Sequence, residues 1–198
     1  MNPSLVGSEM CIRDSVNLAP LRRSLGVRTV FNLLGPLVNP LQPQAQVLGV
    51  ARADLLDPMA GALDQLRLDR AVVVHGAGGL DEASLAGTNE LRMVEAGQPI
   101  ATRFVSPDDV GLAAAPLEAL RGGDLAENQR ILEDVLKGQA TAAQMDVVAF
   151  NTALVLWVAG AELDLKAAAR RASETLSGGL PWQKLQDLQQ ALSHGNGE

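Results

Sequence analysis

The sequence predicts an α/β fold, a mostly parallel sheet flanked by helices, and three observations carry that prediction. Arg70 to His75 (RAVVVH) is a continuous, largely β-branched run of the kind found in parallel strands covered on both faces. An earlier apolar run, Ala45 to Val50 (AQVLGV), is separated from it by a stretch with helical spacing. Strand, helix and strand within about 30 residues make a βαβ unit. Beyond Leu120 the pattern turns helical and stays so.

Each element has its own signal. Asp54 is placed to cap a helix running to about Leu66, with Leu55, Leu56, Met59, Leu63 and Leu66 on one face. Ala77 to Asp81 (AGGLD) follows the second strand, at the end where open α/β sheets place their ligands. Glu90 to Val94 and Ile100 to Val105, with Gly97 between them, read as a hairpin. Asp124 is an N-cap for Leu125 to Lys137, with Glu127 as its capping-box partner. Gln144 to Ala159 is a mostly apolar helix. Leu165 to Leu176 stops at Gly178-Gly179, and Pro181 opens a last amphipathic helix to about Leu192. Upstream, Asn17 to Leu25 reads as a helix tail stopped by Gly26, and Phe31 to Pro40 as a helical turn and loop whose prolines forbid a long element.

Composition narrows the rest. Aromatic residues are 3% of the 198, with no Tyr, so the core is aliphatic and helix should exceed strand. A net charge of −7 with no basic run argues against a nucleic-acid surface. One cysteine, Cys11, rules out an internal disulfide framework and suits a reducing cytoplasm. The most apolar stretch, Val147 to Ala161, contains Asn151 and Thr152 and is short for a membrane span. Residues 1–15 (MNPSLVGSEMCIRDS) show neither periodicity nor turn logic. They read as a foreign stretch or a disordered tail, leaving 16–198 as the folded α/β part.

The candidate chemistry is sparse. Asp81 and Glu82, after the glycine-rich turn HGAGG, offer adjacent hard oxygens to a divalent ion such as Mg²⁺; the alternative is an ordinary solvated pair. Arg22-Arg23 offers a guanidinium fork for a carboxylate, or simply a basic last helical turn. His75 reads as a packed, hydrogen-bonded histidine or as a base, and Asn151 as a structural hydrogen-bonder. Paired cysteines, a P-loop and GxGxxG are all missing.

Three blocks, LRRSLGVRTVFNLLGPLVNP (Leu21 to Pro40), VVVHGAGGLDEAS (Val72 to Ser84) and LRGGDLAENQRILEDVLKG (Leu120 to Gly138), resemble the anthranilate phosphoribosyltransferase family, in order from about Asn17 to the last helix. The separation of Arg22 from Asp81 agrees with that family's spacing. The resemblance implies that Arg22 binds the anthranilate carboxylate, that Gly35 lies near the acceptor, and that Asp81 and Glu82 hold Mg²⁺ on the pyrophosphate of phosphoribosyl diphosphate. No residue is implied as a general base, so no catalytic residue is assigned.

The implied fold is the α/β domain of nucleoside phosphorylases and phosphoribosyltransferases, in a cytoplasmic homodimer with no nucleic-acid or membrane partner. A pyrimidine nucleoside phosphorylase and a nucleic-acid-binding relative of the same fold are the rival readings. The family's GTGGD, NxST and KHGN segments would lie upstream of this chain. On that reading the sequence is the C-terminal two-thirds of the enzyme, and the 198 residues alone are expected not to turn over.

Overall fold

The computed structural model describes residues 43–195, together with residues 37, 39 and 41. Four strands form one sheet in the order β1-β2-β3-β4: β1 (Ala45–Gly49), β2 (Arg70–His75), β3 (Asn89–Glu95) and β4 (Ala101–Val105). Five helices follow in chain order: α1 (Leu56–Gln65), α2 (Leu125–Leu136), α3 (Ala142–Val158), α4 (Leu165–Ser177) and α5 (Leu180–Gly195). The α/β class therefore holds, with helix exceeding strand as the composition requires.

Among the described strands the sheet is mixed, where the sequence pointed to a mostly parallel one. β1 and β2 are parallel, with Val47 opposite Val72, and α1 makes the crossover. β2 and β3 are antiparallel, with Val73 opposite Arg92, and so are β3 and β4. The connection from His75 to Asn89 contains no helix, and a parallel return needs a crossover that usually holds one. The hairpin between β3 and β4 turns at Gly97, whose φ of +76° suits glycine.

The apolar β2 run is explained by burial on both sides. Val72 and Val74 join Leu91 and Val105 beneath Phe150, Ala153, Leu154 and Trp157 of α3 and Leu165, Ala168 and Ala169 of α4. Ala71 and Val73, with Leu48 and Val94, face Leu56, Met59, Ala60 and Leu63 of α1. A third cluster joins α2, α3 and α4 through Val135, Ala149, Ala172 and Leu176. Removing the Phe150 ring, which is fully buried, should cost about 3–5 kcal/mol.

Of the two helix caps named from the sequence, the one at Asp124 forms and the one at Asp54 does not. The Asp124 carboxylate accepts from the Glu127 N–H (2.9 Å), Asp164 accepts from the Ala167 N–H (2.8 Å), and Thr141 with Gln144 forms a reciprocal capping box at α3. Asp54 does not cap: it pairs with Arg52 inside a 3-10 turn (Ala53–Leu55), and α1 begins at Leu56 without a side-chain cap. The nearby arginine competes for the carboxylate. The Asn17–Leu25 helix tail lies outside the described residues. Among the described residues no helix is long and apolar enough to cross a membrane.

Arg67, just past α1, has φ +57°, and it is the one non-glycine with positive φ among the described residues. The left-handed region costs an L-residue about 1–2 kcal/mol, while a glycine adds back roughly 0.4–1 kcal/mol of unfolded-chain entropy. Arg67→Gly should thus be net stabilising by about 0.5–1 kcal/mol, raising Tm by about 1–4 °C in thermal unfolding.

Candidate functional site

The acid pair sits on a loop at the carboxyl ends of β1 and β2. His75 closes β2, and the chain reverses at once: the Gly76 N–H donates to the Leu80 carbonyl (2.8 Å) and the Gly79 N–H to the Gly76 carbonyl (3.0 Å). Gly78 (φ +85°) and Gly79 (φ +83°) make this turn in the left-handed region. The chain then passes back across the sheet edge as Asp81-Glu82.

Two other glycines make that passage possible. A β-carbon at Gly49, the last residue of β1, would coincide with the Asp81 carbonyl oxygen, and one at Gly76 would collide with the Glu82 carbonyl oxygen. Neither has a positive φ, so the requirement is room rather than backbone freedom. At Gly76 the close neighbour is the loop's own backbone.

The loop beyond the acids is fastened from two directions. On α3, the Asn151 Oδ1 accepts from the Ala83 N–H (2.8 Å), and its Nδ2 donates to the Ala83 carbonyl (2.9 Å) and to Val147 (3.0 Å). At the start of β3, the fully buried Asn89 accepts from the Ser84 N–H (2.7 Å) and the Ala77 N–H (3.3 Å). Its amide donates to the carbonyls of Ser84 (3.1 Å) and Val105 (3.0 Å). The Ser84 hydroxyl accepts from the Ala86 N–H (3.1 Å). Ala83, Ser84 and Leu85 are buried, whereas Asp81 and Glu82 are exposed.

His75 is partly buried, and its Nδ1 lies 2.8 Å from the Val50 carbonyl. The carbonyl can only accept, so Nδ1 carries the proton. That bond ties the end of β2 to the residue following β1, matching the structural reading of His75. Asn151 likewise bonds within the fold. Asn89 was missed, although an Asn after Gly87-Thr88 at a strand start has the chemistry to bridge backbone groups.

Although its side chain reaches solvent, partial desolvation at the sheet edge pushes the Glu82 carboxyl above the usual glutamate range, and the neighbouring Asp81 charge adds to it. Among the described residues no third His, Cys, Asp or Glu gathers with these two. Two carboxylates with open surroundings form the donor set that Mg²⁺ uses when substrate phosphates and water complete its shell. Arg22 and Gly35 lie outside the described residues.

The sequence of residues 5–181 matches the model of the glycosyl transferase family, a/b domain. The chain belongs to that family. Within it, the chain is 92% identical over 183 residues to an anthranilate phosphoribosyltransferase of Synechococcus sp. (strain CC9902), covering 92% of this chain and 52% of the relative. The crystal structure of anthranilate phosphoribosyltransferase from Thermus thermophilus superposes with a TM-score of 0.77 at 43% identity, covering 86% of this chain and 50% of that one. The Saccharomyces cerevisiae enzyme in complex with PRPP and Mg gives a TM-score of 0.76 at 28% identity, covering 85% and 48%. The chain thus spans about half the length of the relatives it matches, less than the two-thirds anticipated.

The raised Glu82 pKa makes a signed prediction. The folded state holds this proton more tightly than the unfolded chain, so the associated stability is present at low pH and lost as pH rises through the folded pKa. Glu82→Gln removes that dependence. Thermal unfolding across pH should show the variant gaining on the parent chain as pH climbs through the range just above ordinary glutamate titration.

Proposed function

We propose that this chain serves in transfer of the phosphoribosyl group from phosphoribosyl diphosphate to anthranilate. The products would be N-(5-phosphoribosyl)-anthranilate and pyrophosphate, within tryptophan biosynthesis. The observation that carries the reading is the exposed Asp81-Glu82 pair at the sheet's carboxyl edge, followed by a loop hydrogen-bonded at Ala83 and Ser84, in a chain 92% identical to an enzyme bearing that activity's name. The S. cerevisiae complex with PRPP and Mg supports the donor and the ion.

In this reading Asp81 and Glu82 hold Mg²⁺. When bound, the ion supplies positive charge against the pyrophosphate as it departs. The two acids would hold that charge on a loop whose backbone is packed against Gly49 and Gly76 and hydrogen-bonded at Ala83 and Ser84. Such preorganisation lowers the barrier where charge separates between ribose C1 and the leaving group. Arg22 would grip the anthranilate carboxylate bidentately and Gly35 would lie beside the ring, presenting the amine to C1. No side chain is assigned as a general base. Residues 16–198 would be the part belonging to the enzyme, working in a cytoplasmic homodimer.

The test places this sequence in a protein of the full length of its Synechococcus relative. Asp81→Asn with Glu82→Gln should lower kcat by at least about a hundredfold and flatten the Mg²⁺ dependence, with anthranilate KM little changed. Arg22→Ala should chiefly raise anthranilate KM, by about tenfold or more. Unchanged Mg²⁺ dependence in the first variant would move the metal site elsewhere.

A further inference from the structure

We propose that Asn151, on α3, is a positioning residue for the Asp81-Glu82 pair. The inference rests on the reading of those acids as Mg²⁺ ligands and names the residue that sets their register. Asn151 is 68 positions from Ala83 in sequence, yet one carboxamide meets both backbone groups of that single residue, the N–H at 2.8 Å and the carbonyl at 2.9 Å.

Such a two-point contact fixes where Ala83 lies along the loop as well as that it is held. Glu82 is its immediate neighbour and Asp81 the next. The amide orientation is unambiguous, because the Ala83 N–H can only donate and its carbonyl only accept. With the third bond, to Val147 on its own helix (3.0 Å), the carboxamide has both amide protons engaged.

The surroundings explain why another residue would not serve. Phe150, Ala153 and Leu154, close by on α3, are buried in the apolar core, so a polar group at 151 is costly unless satisfied. Its loop partner is the backbone directly behind the acids, and no charge is brought near them. A one-residue slip would set the Glu82 side chain in the place of the Ala83 methyl, which is 1% exposed. Asn89, at the start of β3, holds the next residue, Ser84, but its bonds spread over Ala77, Ser84, Gly87 and Val105. That pattern organises the loop as a whole. Asn151 addresses the single residue adjoining the acids.

The test uses Mn²⁺ as the probe, titrated into the ¹⁵N-labelled 198-residue chain, reading paramagnetic broadening of the backbone amides around Asp81 and Glu82. Asn151→Asp keeps the size and the acceptor for the Ala83 N–H but removes the donor to its carbonyl. Asn151→Leu removes both, and if it fails to fold, Asn151→Asp carries the test. Supporting residues behind metal ligands typically control affinity about ten- to a hundredfold. Each folded Asn151 variant should therefore need at least about tenfold more Mn²⁺ for half-broadening while still unfolding cooperatively. A variant that titrates like the parent chain overturns the positioning role, provided Asp81→Asn with Glu82→Gln abolishes the broadening. If that double variant also titrates like the parent, the metal reading of the acid pair fails first and takes this inference with it.

Discussion

The contact on which the rest of the site depends is backbone against backbone: the carbonyl oxygens of Asp81 and Glu82 occupy the space where β-carbons would stand at Gly49 and Gly76. Two strand ends lacking side chains let a loop lie directly on the edge of the sheet. With the backbone held that low, the next residues, Ala83, Ser84 and Leu85, enter the core and the two carboxylates are left at the surface. The glycines of the preceding turn, with φ of +85° and +83°, bring the chain round in time to make the pass.

Hydrogen bonds convert this packing into a fixed geometry. A loop crossing a core boundary carries polar backbone groups that cost about 1–3 kcal/mol each if left unpaired. Here Asn89 and Asn151 take up those of Ala83 and Ser84, while the Leu85 carbonyl accepts from the Ala115 N–H (3.0 Å). Because α3 is anchored by Phe150, Leu154 and Trp157 in the same cluster as Val72 and Val74, Asn151 refers the loop to the core itself. Sheet, helix and acid pair form one mechanical unit.

Much of this was legible from residue patterns, and what was not has identifiable causes. The β-branched β2 run announced burial on both faces, and its alternate residues do divide between α1 on one side and α3 and α4 on the other. Asp124 and Gly97 declared their cap and turn because those effects are local. Asp54 misled because Arg52, two residues away, took its carboxylate. The antiparallel return of β3 was hidden because strand direction depends on what a connection lacks, namely a helix between His75 and Asn89. Gly49 read as an ordinary strand residue, since its partner lies 32 positions on and no periodicity links them. Asn89 went unnoticed for the same reason: its bonds reach from Ala77 to Val105. Arg22 and Gly35 remain assignments carried by family resemblance.

Amide hydrogen exchange in Gly49→Ala probes the governing contact most directly. The single added methyl is compatible with the strand conformation and collides with the Asp81 backbone, an overpacking that should cost about 1–3 kcal/mol. The Ala83 and Ser84 amides should lose protection strongly while Val72 to Val74 keep theirs, because the loop is displaced and β2 is not. Unaltered protection at Ala83 and Ser84, in a variant as stable as the parent, would contradict the account: the acid pair would then owe its place to something other than the bare strand ends.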